Sequence, residues 1–186
     1  MCSFAVADEN SNTQAWYHPS HIKLQYAGNI GYFSLGLGKQ YLDNRLALEV
    51  FYGYARASKA GTKINTIALK NAYYWPANLS FIGPNNLNIY LGLNLFYALD
   101  VRETNAPGCL RDDDGYPCNS IHIMPYVGAE FINSSFTTKS NILPDGVYWE
   151  IGVLDLFLVD YYHNRSYLSL KDIVNMSVGF KWYVNR

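Results

Sequence analysis

Two long stretches of this chain alternate residue by residue between hydrocarbon and smaller or polar side chains, and that pattern excludes a helix over either. Near the carboxyl terminus Val174, Met176, Val178, Phe180, Trp182 and Val184 share one face, and Asn175, Ser177, Gly179, Lys181 and Tyr183 share the other. From Leu87 to Leu99 the odd positions are Leu87, Ile89, Leu91, Leu93, Leu95, Tyr97 and Leu99, set against Asn88, Tyr90, Gly92, Asn94, Phe96 and Ala98. Period two marks a β-strand with two chemically different faces. Strands of a soluble sandwich average about 5 to 6 residues, whereas tilted strands that cross a bilayer need about 9 to 11. No stretch reaches the roughly 18 consecutive apolar residues of a spanning helix, so a membrane crossing by this chain uses strands.

Shorter alternations follow the same rule. They fall at Ile22 to Ala27, at Phe33 to Gly38, at Leu46 to Ala55 after an Asp43-Asn44 turn, at Ile67 to Trp75, at Ile123 to Phe131, and from Val147. In the last of these the phase slips near Leu154-Asp155, and a bulge there would return Leu156 and Leu158 to the apolar face. The total is eight, an even number, which places both termini on one side. The fold expected is all-β: a closed antiparallel transmembrane β-barrel of about eight strands over residues 21–186. With periplasmic termini, the Asp43-Asn44 turn is periplasmic and the long Asp100 to Ser120 segment is extracellular. The connection from Asn133 to Gly146 is long for a periplasmic one, unless a strand extends into Phe136-Thr137-Thr138.

Composition agrees with this reading. The 186 residues suit one domain, and 17 Tyr, 9 Phe and 4 Trp against a charged fraction of 16% are more aromatic and less charged than an ordinary soluble domain. Tyr and Trp favour the water–lipid boundary, where barrels carry aromatic girdles. Lys+Arg 14 against Asp+Glu 15 leaves no basic footprint for nucleic acid.

At the start, Met1-Cys2-Ser3-Phe4-Ala5-Val6-Ala7 reads as the remnant of a signal peptide over residues 1–7, with an Ala-x-Ala site, followed by an N-terminal periplasmic segment over 8–20. A plain N-terminal stub is the alternative. If Cys2 leaves with the signal, Cys109 and Cys118 remain as an even pair in one polar segment, and a disulfide clamping that loop is expected in an oxidising compartment.

The run Gly31-Tyr-Phe-Ser-Leu-Gly-Leu-Gly-Lys-Gln-Tyr41, a turn, and Arg45-Leu-Ala-Leu-Glu-Val-Phe-Tyr-Gly-Tyr54 resembles the strand-turn-strand pattern of small OmpA-like outer-membrane barrels of Gram-negative bacteria. That resemblance implies residence in the bacterial outer membrane and contact with its lipid. Proteins of that kind finish on an aromatic residue read by the barrel-assembly machinery; here Phe180, Trp182 and Tyr183 precede Val184-Asn185-Arg186.

Six charged residues fall on the inward face of these strands: Lys23, Glu49, Lys70, Glu130, Glu150 and Lys181. An eight-stranded barrel is just wide enough for its own side chains, so these charges are expected to pair as a lumen network without a wide pore. Asp112, Asp113 and Asp114 could offer carboxylates to calcium, but the run lacks the spaced ligands of a calcium loop and reads more readily as a solvated turn. His163 and Ser166 are the catalytic candidates. They resemble lipid A deacylase barrels, in which a His and a Ser two positions apart on one strand face the lipid; a spacing of three puts them on opposite faces of an extended strand. His18, His21 and His122 have no ligand spacing and belong at the interface or in the lumen. The function expected is therefore structural or surface-recognition work through extracellular loops, with no catalysis and no cofactor. A lipid A-modifying hydrolase, or a barrel subunit of an envelope complex with protein partners, is the alternative.

Overall fold

The computed structural model describes residues 18–28, 30–56, 63–75, 86–99, 121–132, 143–165, 167 and 169–184. Eight antiparallel strands form a closed barrel in which each pairs with its sequence neighbour and β8 returns to β1. They are β1 (His21–Ala27), β2 (Phe33–Tyr41), β3 (Leu46–Arg56), β4 (Lys63–Trp75), β5 (Asn86–Ala98), β6 (His122–Ile132), β7 (Gly146–Val153) and β8 (Val174–Tyr183). Closure is carried by pairs such as Leu24 with Phe180 and Tyr26 with Val178. Followed once around the barrel, the register advances by about ten residues along β1, a stagger that tilts the strands by about 40°.

Alternation decides which side chains meet. Along β7 the burial reads buried, exposed, buried, exposed from Gly146 onward, and β2 and β6 do the same. The outward set is hydrocarbon left bare: Val50, Leu35, Leu91 and Leu69 are exposed by 55%, 53%, 52% and 49%. The inward set is sealed and mixes charged and polar side chains, including Lys23, Glu49, Lys70, Asn94, Glu130, Glu150 and Lys181, with apolar ones such as Ala47, Phe51, Ala72 and Phe96.

The β2–β3 connection runs from Leu42 to Arg45. It holds Leu42, Asp43 and Asn44 at positive φ, which Asp and Asn tolerate better than most residues, and Arg45 N–H closes on Leu42 carbonyl at 3.1 Å. Its end of the barrel is also where β4 leads to β5, β6 leads to β7, β1 begins and β8 ends; β1 leads to β2, β3 to β4, β5 to β6 and β7 to β8 at the other.

One expected element is corrected. The chain after Val153 forms no bulge that continues the strand; it leaves the barrel as helix α1 (Asp155–His163), followed by the short α2 (Leu170–Ile173). Four consecutive apolar residues, Leu156 to Val159, cannot alternate, whereas a helical turn distributes them. Asp155 sits in the first turn, where a carboxylate is favoured, and accepts the Ile123 N–H at 3.3 Å just past the end of the β6–β7 pairing. α1 thereby covers a strand edge that would otherwise be unpaired. The β6 and β7 boundaries leave 133–145 as their connection, and Phe136-Thr137-Thr138 lie outside the described residues.

Candidate functional site

Three groups of side chains fill the barrel interior. At the end nearest the chain termini, Lys181 Nζ lies 2.9 Å from both carboxylate oxygens of Glu130. The hydroxyls of Tyr74 and Tyr183 donate to the same carboxylate at 3.0 and 3.2 Å. The phenol rings also lie beneath the ammonium, at 5.3 and 4.7 Å from their centroids.

Above them, Glu49 Oε1 stands 2.7 Å from Lys23 Nζ and 2.9 Å from His21 Nε2. His21 and Glu49 are on strands separated by β2, and both pair with Gly38 in the register. A Cβ at Gly38 would lie 2.3 Å from His21 Nε2, so the absent side chain is what lets the imidazole cross the strand.

The third group joins Lys70 to Glu150, whose other oxygen accepts the Tyr90 hydroxyl at 3.0 Å. Gln25 Oε1 receives a further Lys70 bond at 3.3 Å, and Ser177 Oγ donates to Glu150 at 3.4 Å. Tyr90 reaches across β6 at Gly128, where an added Cβ would meet its ring at 2.4 Å. Lys70 Nζ also sits over Tyr126 and Phe51, at 4.6 and 4.9 Å.

Lys23, Lys70 and Lys181 thus balance Glu49, Glu130 and Glu150, so the described interior is neutral when His21 is neutral. A buried charge persists only when paired and hydrogen-bonded, and here each ammonium has a carboxylate and at least one aromatic face. At the opposite end an apolar plug of Ile30, Phe51, Phe96, Met124 and Leu154, with Phe157 from α1, closes over the polar groups. The Thr66 hydroxyl donates to the Ile30 carbonyl and so holds the β1–β2 turn in the barrel mouth. Among the described residues, the buried Asn94 carboxamide, Ser34 hydroxyl, Lys23 Nζ and Glu49 Oε2 make no hydrogen bond, Lys23 being held to Glu49 Oε1 as an ion pair.

The phenols of this network were not singled out by sequence reading. Tyr74, Tyr90, Tyr126 and Tyr148 are buried inside and not at an interface, which corrects the simple assignment of aromatic residues to girdles. Their in-phase position with Lys70, Asn94, Glu130 and Glu150 was the available signal. His21 is a lumen residue, and His122 lies at the rim 3.4 Å from Asp155. His18 is exposed.

The placement of His163 on a strand is corrected too. His163 is the last residue of α1, exposed, with Nδ1 3.0 Å from the Val159 carbonyl. Ser166, Cys109, Cys118, Asp112, Asp113, Asp114 and residues 1–7 lie outside the described residues. Among the described residues no three His, Cys, Asp or Glu side chains gather to hold a metal.

On the outer wall most of the aromatics collect at two levels. Tyr26, Phe33, Tyr52, Tyr54 and Tyr97 lie toward the α1 end; Tyr41, Tyr73, Trp75, Phe131 and Trp182 lie toward the other end, while Trp149 and Phe180 face outward between them. Tyr26 and Phe33 pair across strands with ring centroids 5.3 Å apart, and Phe33 pairs on with Tyr54. Between the levels the wall is chiefly Leu, Val and Ile. No protein-family model, curated protein or solved structure matches the chain.

Proposed function

We propose that the protein is an integral β-barrel of a bacterial outer membrane, of the small OmpA-like kind, with a plugged lumen and a structural or recognition role carried by its outer loops. The observation that carries this reading is the outer wall: continuous exposed hydrocarbon bounded at both edges by aromatic side chains, around a charged interior. In water such a wall would be a very large apolar patch driving association. In a bilayer it is the required surface, because hydrocarbon cannot satisfy an open strand edge and a closed barrel has none.

The dimensions fit. About ten residues of strand at about 3.3 Å each, tilted by about 40°, rise about 25 Å, the height of the apolar band in barrels of this class. The balanced Lys–Glu interior and the apolar plug favour a barrel that passes no steady ion current. The side with the short Leu42–Arg45 turn is assigned to the periplasm, and the 100–120 connection and α1 to the cell exterior.

The test is folding into lipid. The protein should float with liposomes and migrate at a different position on a gel before and after boiling. A protein that stays soluble without detergent and migrates identically in both states would sink the reading. In intact cells, external trypsin should cut the chain at Arg102 or Arg111 and leave the strands intact. Cutting only after the outer membrane is permeabilised would reverse the orientation.

A further inference from the structure

The outer wall has one polar interruption deep in its hydrocarbon. Among the described residues, Asn71 on β4 is the polar side chain facing outward well between the two aromatic levels, with Leu69 and Tyr73 along its own strand and Leu48 and Leu93 beside it in register. A packing exchange puts it there. The Tyr126 hydroxyl passes Gly92 and donates to the Asn71 backbone carbonyl at 2.6 Å; a Cβ on Gly92 would lie 1.9 Å from that carbonyl oxygen. The Leu93 N–H bonds instead to Asn71 Oδ1 at 3.1 Å. One end of the carboxamide thus repairs the ladder, and its NH2 is left without a partner among the described residues.

The wall differs on the two sides of Asn71. Toward β5, β6 and β7 lies a groove of about 670 Å³, lined by Leu91, Leu93, Pro125, Val127 and Ile151 and reached at its upper end by Leu158 of α1. Toward β3 the neighbours of Asn71 are Leu48 and Val50, exposed by 42% and 55%.

We propose that this face is where a second copy of the chain docks within the membrane, with Asn71 against Asn71. The proposal rests on the membrane reading above. Lipid chains offer no acceptor at that depth, and an unpaired amide donor in hydrocarbon is unfavourable. Two copies inserted in the same direction necessarily place Asn71 at equal depth, related by a two-fold axis along the membrane normal. A carboxamide is self-complementary: each NH2 donates to the other Oδ1, which accepts two bonds and has one lone pair left after Leu93. The same axis brings Leu48 and Val50 of each copy over the groove of the other. A foreign partner would need a polar group at a matching depth, which symmetry supplies to a second copy without further condition.

The test uses the full chain in liposomes, with Cys2, Cys109 and Cys118 changed to Ser. Flotation is checked first: failure to float overturns the membrane reading, and this proposal with it. In floating protein, Asn71→Cys should form a disulfide-linked dimer under copper-phenanthroline, and Val178→Cys, on β8 across the barrel at similar depth, should not. Equal cross-linking at both sites would overturn the proposal. Energy transfer between labelled copies, followed as lipid is added, should show Asn71→Leu raising the apparent dissociation constant roughly tenfold. Val127→Trp fills the groove without touching a ladder bond and should weaken association similarly, which separates docking from any folding defect of Asn71→Leu. A parent protein that is monomeric at all lipid ratios, or variants that associate as it does, would overturn the proposal.

Discussion

Lys181 of β8 and Glu130 of β6 meet inside the barrel across the intervening β7, the ammonium 2.9 Å from each carboxylate oxygen and both side chains fully buried. The two partners are not equivalent. Glu130 keeps two phenol donors if Lys181 is removed, whereas Lys181 without Glu130 keeps one phenol oxygen and two ring faces.

Glu130→Leu should therefore destabilise the folded barrel by about 3 to 5 kcal/mol, the usual result of stranding one buried charge. Lys181→Met should cost clearly less, and the double variant should recover most of the loss. Urea unfolding in detergent micelles measures all three; equal losses from the two single variants would contradict the asymmetry.

Gly38→Ala should cost about 1 to 3 kcal/mol, because its Cβ overlaps the His21 imidazole and lies 2.8 Å from Glu49 Cγ. Adding His21→Ala relieves the overlap, so a double-mutant cycle should show strong non-additivity. Additive losses would mean that the imidazole does not cross β2 at this point.

Arginine placed on the outer wall should report depth. Val50→Arg, between the aromatic levels, should destabilise the barrel in a bilayer by about 2 to 4 kcal/mol, and Tyr41→Arg, at the edge, by about 0 to 1 kcal/mol. The same pair compared by reversible folding into liposomes decides the matter, and a flat profile would remove the bilayer from the explanation.

Planar bilayers containing the purified protein should show no steady conductance. Leu154→Ala thins the apolar plug but leaves the three Lys–Glu groups in place, and it should remain non-conducting. A stable open channel in either protein would show that the ion-pair groups do not close the lumen.

Most of the barrel was legible in the chain because period two is a local property. Val174 to Val184 and Leu87 to Leu99 declare their faces without reference to any other strand, and the parity of eight follows from counting. The stretch from Leu154 to His163 was misread for a related reason. Four apolar residues in a row suit a bulged strand or a helix equally well, and the choice rests on the edge of β6 that Asp155 covers. Of the lumen, the six charged residues could be picked out one by one, since each stands in phase on its strand.

Alternation by itself determined which residues face in, how many strands there are and which connections share an end. Their partners were decided by closure. Register and stagger bring His21 to Glu49 over Gly38 and Tyr90 to Glu150 over Gly128, and they draw Tyr126 to the carbonyl of Asn71, whose carboxamide turns to the Leu93 N–H on the outer wall. Those contacts bridge strands two apart, and Lys70 of β4 reaches Gln25 of β1 and Glu150 of β7, 80 positions away, so no local pattern encodes them; they exist only once the sheet has curled into a barrel.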